Sequence, residues 1–151
     1  MKKLFSMILG LVCAAGLVFA VSGCDKEDGE ATNTMTLRGE TYSIDYALFT
    51  DHGDITRLHV HTPGDEGLSG YGDVPSSWIG KTTKLEGEFF LSFNPQSGAA
   101  SIDPEIKSGT VKITKVEKKL HVVVDAVEES GDKFKMDYLA EDEESFNARQ
   151  Q

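Results

Sequence analysis

The sequence predicts an all-β domain: a single antiparallel meander of about seven strands, curled into a barrel or left as an open sandwich. Three observations predict it. Between residues 35 and 140 apolar side chains recur with period two, as half-buried strands require. Short turn-forming segments separate these runs at hairpin spacing. No long helical pattern interrupts them.

The elements follow in chain order. Lys2 and Lys3 open the chain, an apolar run extends from Leu4 to about Ala20, and Ser22-Gly23 precede Cys24. Charged, apolar and small residues in that order are the layout of a secretory signal, here a helix over 1–23 that is cleaved. A spanning anchor needs ~20 apolar residues, but Gly10, Gly16 and the abrupt Gly23-Cys24 ending favour cleavage. The "VSGC" of Val21, Ser22, Gly23 and Cys24 resembles the lipobox of bacterial lipoproteins. That resemblance implies a diacylglyceryl group on the Cys24 thiol and a new amino terminus that is often acylated. Each buried methylene contributes ~0.8 kcal/mol, and two or more chains hold a protein stably at a bilayer. Cys13 leaves with the signal, so neither a disulfide framework nor a zinc-thiolate site is available.

Residues 24–34 read as an acidic, flexible tether. Asp25, Glu27, Asp28 and Glu30 crowd the segment after Cys24, and nothing in 25–34 anchors a core. Ten such residues span about 17–19 Å. The acids after the cysteine resemble the surface-export signal of Bacteroidota lipoproteins, which implies display on the outer membrane. A periplasm-facing lipoprotein is the alternative. The formal charge of -10 disfavours nucleic acid and anionic head groups as partners.

The folded domain is expected over 35–140. After a first strand at 35–38, Tyr42, Ile44, Tyr46 and Leu48 alternate with Ser43, Asp45 and Ala47, predicting a strand over 41–50. The "DHGD" turn leads to a strand over 55–62. A long Gly-, Ser- and Pro-rich connection is expected over 63–84, bearing Leu68, Tyr71 and Trp78, with a possible single helical turn within 75–84 capped by Ser76 or Ser77. Leu85, Phe89, Leu91 and Phe93 share one face of the next strand, 85–93, and a second long connection covers 94–109. Strands over 110–116, 120–127 and 133–140 follow, joined by "EKK" and "EESGD". Residues 141–151 read as an acidic tail, frayed or ending in a short helical turn.

Trp78 to Leu139, with the SGT-type strand Ser108-Gly109-Thr110-Val111 and the closing Tyr138, resembles a recurrent small-lipoprotein domain of gut Bacteroidota. The usual Gly after the closing Tyr is replaced here by Leu139-Ala140. The resemblance implies location and β architecture, not chemistry.

His59-x-His61 is the sharpest chemical constellation. On a strand the two imidazoles share a face, ~6.6–6.8 Å apart along the backbone, with Ile55 and Arg57. Completed by Asp51, Asp54 or His52 they form a candidate zinc or copper site; surface histidines on a strand are the plainer reading. Asp65, Glu66 and Asp73 are candidate calcium ligands without EF-hand spacing; a solvated acidic loop is the plainer reading. Tyr71 and Trp78 are candidate ligand-stacking rings; Trp78 capping the core is the plainer reading. No nucleophile elbow, zinc-protease motif or P-loop occurs, so an enzyme is not expected and no cofactor is implied. The sequence therefore predicts a lipid-anchored envelope protein, a non-enzymatic module that binds a protein or glycan through its long loops. The alternatives are a calycin- or lipocalin-like carrier of a small apolar ligand, and a metal-handling protein using His59 and His61.

Overall fold

The structure, a computed structural model, describes residues 30–88 and 91–151. The predicted signal segment, Cys24 and the acidic residues up to Gly29 lie outside the described residues. Among the described residues no helix is long and apolar enough to cross a membrane.

The chain forms one curled, open half-barrel sheet. Its strands are β1 (Thr34–Leu37), β2 (Glu40–Ser43), β3 (Tyr46–Asp51), β4 (Ile55–His61), β5 (Leu68–Pro75), β6 (Lys81–Glu88), β7 (Leu91–Pro95), β8 (Glu105–Val116), β9 (Lys119–Glu128) and β10 (Lys133–Asp142). A 3-10 turn, Ser76–Trp78, follows β5, and one helix, α1 (Glu143–Arg149), closes the chain. The main path runs β6-β8-β9-β10-β3-β4-β5-β7, and the β1–β2 hairpin pairs with β10 beside it.

Two meanders make up this sheet, β8-β9-β10 and β3-β4-β5. They join where the end of β10 runs parallel to β3, with Glu141 opposite Leu48 and Asp142 opposite Phe49. The edge strands β6 and β7 are consecutive in the chain. Three residues of reach put Glu88 and Leu91 at most ~11 Å apart, so the two edges approach each other and the sheet curls towards closure. A register shift between Leu85 and Gly87, with Gly87 at φ 85°, bends the end of β6 at that point.

The inner face holds the core. Phe134, Met136, Tyr138 and Ala140 of β10 alternate inward, facing Ala126, Val124, Val122 and Leu120 of β9. Met35 and Leu37 cover one flank, and Leu58, Val60, Val74 and Phe93 fill the other. The rings of Phe93 and Phe134 meet across the interior with centroids 6.1 Å apart, linking edge strand β7 to β10. Gly70 lies under Phe93, and a Cβ there would sit 2.7 Å from that ring and from Val60. Gly109 of the SGT strand is opposite Ala126, where a Cβ would approach within 2.4 Å of the alanine methyl. This contact accounts for the small residue in that motif.

Several expectations are corrected. The all-β, barrel-like expectation holds, while the described strands number ten rather than about seven and include one parallel pairing, β10 with β3. The 41–50 strand breaks at Ile44-Asp45. The break reverses the inferred faces: Ala47 and Phe49 oppose Val60 and Leu58 on the inner face, while Tyr46 and Leu48 point outward beneath α1. The 63–84 connection is mostly strand, because Gly70 and Gly72 allow close packing while hiding the alternation of Leu68, Val74 and their neighbours. The second connection shortens to 96–104, since Glu105 already begins β8. The 141–151 tail is folded: Glu141 and Asp142 end β10, and the Asp142 carboxylate accepts a 2.9 Å hydrogen bond from Ser145 N–H to cap α1. Glu143 and Glu144 at its start and Arg149 at its end complement the helix dipole. The last residues of the expected tether also dock. Thr32 Oγ1 donates to Asp137 (3.0 Å), and Leu139 N–H donates to Asn33 Oδ1 (3.2 Å).

Candidate functional site

The outer face of β3-β4-β5 gathers the sequence's chemical residues. The antiparallel register sets Tyr46 opposite His61 and His59 opposite Tyr71. Cross-strand pairs on one face are within contact reach, and both pairs stack. His59 and Tyr71 have centroids 4.1 Å apart at 14°; Tyr46 and His61 are 4.7 Å apart at 8°. Tyr46 meets His59 edge-on at 5.6 Å, so four rings form one continuous patch. Phe146 of α1 extends it, 5.9 Å from Tyr46.

Polar groups fix this patch from its sides. Arg57 and Asp73, also directly opposed, form a bidentate ion pair at 2.8 and 3.0 Å. The pair holds the Asp73 carboxyl below its usual range. Thr50 Oγ1 donates to Glu143 of α1 at 2.5 Å. The Gln96 amide donates to His61 Nε2 at 2.7 Å. Among the described residues His61 Nδ1 and His59 Nε2 are buried without a hydrogen-bond partner. Burial, reinforced by neighbouring His61, pushes the His59 pKa down, while Glu143 pulls it partly back. His59 is thus a neutral stacking partner at neutral pH.

Tyr71 is 47% exposed although one face of its ring rests on His59. Ile55, 46% exposed, lies along the same face beyond the Arg57–Asp73 pair. Between Tyr71 and α1 opens a cleft of about 290 Å³ lined by Leu48, Thr50, His52, Arg57, His59, Tyr71 and Glu143. The arrangement is a pre-positioned aromatic ring beside a planar ion pair, with hydroxyl and carboxylate groups across a shallow cleft.

The structure brings His59, His61 and Tyr71 together and leaves Trp78 elsewhere. Trp78 belongs to the 3-10 turn and packs, half-buried, against the core. That turn is fixed by Ser76 N–H to Asp54 O (2.9 Å) and by a Ser76–Thr56 hydroxyl contact (2.9 Å). Among the described residues no three His, Cys, Asp or Glu side chains converge to hold a metal ion. The Asp51 carboxylate instead accepts from Gly53 N–H in its turn, and Asp73 pairs with Arg57. The barrel interior is occupied by Phe93, Phe134 and Tyr138, each fully buried. Cys24 lies outside the described residues.

Sequence reading missed Tyr46, Asp73 and Glu143 as members of this face. One signal was present: Ser69, Tyr71 and Asp73 have period two, which a strand assignment to 68–75 would have set against His61, His59 and Arg57. Glu143 and Phe146 had no such signal, because only the path of β10 brings α1 over β3. Comparison with protein-family models, with curated proteins and with solved structures gave no match.

Proposed function

We propose that this chain is a lipid-anchored protein of the outer membrane, carried on Cys24 and displayed at the cell surface. In this reading its domain is a non-enzymatic glycan-binding module. The ligand surface is the β3-β4-β5 face centred on Tyr71 rather than the loops. One observation carries the reading: the Tyr71 ring is braced on His59 yet half open to solvent. A sugar's apolar C–H face stacks on such a ring, and its hydroxyls find bidentate partners in an adjacent guanidinium–carboxylate pair. Bracing removes the ordering cost that a free tyrosine incurs on binding. Screening the purified full-length protein in detergent on a glycan array, followed by calorimetry, tests the proposal. Binding that Tyr71→Ala abolishes is the expected result. Absence of glycan affinity, or affinity indifferent to Tyr71, overturns it.

A further inference from the structure

A second concavity lies at one end of the barrel, away from the Tyr71 face. Three connections converge there: the β1–β2 turn, the β9–β10 turn and the segment entering β8. Arg38 and Gly39 form the first, at φ 50° and 82°, the signature of a tight two-residue hairpin. The second is closed by Glu128 N–H to Asp132 O and Gly131 N–H to Glu128 O, both 2.9 Å. Glu129 N–H donates to Glu105 O (2.9 Å) and fastens the third to the second. Together they border an open concavity of about 460 Å³, lined by Ser130, five carboxylates (Asp103, Glu105, Glu128, Glu129, Asp132) and one guanidinium, Arg38.

Glu128 sets this place apart from an ordinary acidic surface. It continues the inward alternation of Leu120, Val122, Val124 and Ala126, so its side chain turns into the barrel mouth, where it is 6% exposed. Its Oε1 is buried with no hydrogen-bond partner among the described residues. A buried carboxylate oxygen without a donor is costly, and a donor arriving with a ligand removes that cost. The donor's chemistry follows from the surroundings. The excess of carboxylates calls for a cation. The five carboxylates line the cavity, and no three acids among the described residues converge on a point as a metal ion requires. An extended cation bearing several N–H donors matches that distribution better than a point charge does.

We infer that this barrel end is a binding site for a small aliphatic polyamine, with one ammonium group on Glu128 and others on the rim carboxylates. Calorimetry of the full-length protein in detergent with spermidine, at about 0.15 M salt where general surface attraction is screened, tests the inference. Saturable binding is expected, weakened about tenfold or more by Glu128→Gln, as loss of a charge-assisted hydrogen bond implies. Glu117→Gln removes the same charge at the far end of β9 and should leave the affinity within about twofold. Should Glu128→Gln fail to fold, the exposed pair Glu105→Gln/Glu129→Gln, set against Glu117→Gln/Glu144→Gln, reads the same contrast. Equal weakening by both members of a contrast, absence of spermidine heat, or calcium chloride displacing spermidine one for one overturns it. Spermidine binding undisturbed by Tyr71→Ala separates this site from the glycan face.

Discussion

The imidazole of His59 and the phenol ring of Tyr71, opposed on β4 and β5, stack with centroids 4.1 Å apart and only 14° between their planes. The contact joins the most chemically suggestive pair of sequence features, the His59-x-His61 strand and the Gly-flanked Tyr71, in one surface.

Because Tyr71 is half exposed, its truncation removes little core packing. Tyr71→Ala should lower stability by no more than about 1 kcal/mol, the scale of a cross-strand pair, while glycan affinity is lost. A urea titration beside binding calorimetry checks both. A loss of several kcal/mol would make the ring a structural element instead.

His59 gives the fold a pH dependence of defined sign. Its folded pKa is depressed, by burial first and His61 second, so the unfolded chain takes up a proton before the folded one does. Stability is full above the unfolded value of ~6.5 and declines as the pH falls from there towards the folded value. Thermal melts stepped from neutral to mildly acidic pH should show a steeper decline for the native protein than for His59→Gln. Parallel curves would remove His59 from the account.

Gly70 should tolerate no side chain. Its strand neighbour Phe93 and Val60 each lie 2.7 Å from where a Cβ would stand, and both belong to the buried core. Gly70→Ala should cost about 1–3 kcal/mol through overpacking, read as a lower urea midpoint. A further Phe93→Leu change should recover part of that loss, and a melt unaffected by the alanine would contradict the packing.

Asp137 holds a small outer-face network. It accepts from His121 Nε2 at 2.8 Å and from Thr32 Oγ1 at 3.0 Å. Burial pushes its carboxyl pKa up, but these hydrogen bonds outweigh it and leave the group below the usual range. The stabilisation is therefore present above ~3.9 and lost as the pH falls through the lower folded value. Asp137→Ala strands His121, only 7% exposed, and should cost about 1–3 kcal/mol at neutral pH. The difference from the native protein should shrink in acid; a constant difference across the range would mean that charge plays no part.

Much of the inner face was legible because strand periodicity survives any arrangement of neighbours. Phe134, Met136 and Tyr138, and Leu120, Val122, Val124 and Ala126, turn inward as their alternation requires. The reading failed where residues outside the strand decided which side is wet. Tyr46 and Leu48 carry an apolar alternation, yet they face outward, because α1 supplies a cover that local sequence cannot announce. The strand of 68–75 was hidden because two of its inward positions, Gly70 and Gly72, carry no side chain to reveal a period.

By itself the sequence determined an all-β chain, the inward residues of its strands and the shared face of His59 and His61, since alternation along a strand is local geometry. Tertiary structure alone decided that β10 pairs in parallel with β3, that α1 roofs Tyr46, and that Tyr71 rests on His59 while Trp78 turns to the core. These depend on which strands become neighbours, a choice made by the burial of the whole inner face at once, and no short stretch of chain records it.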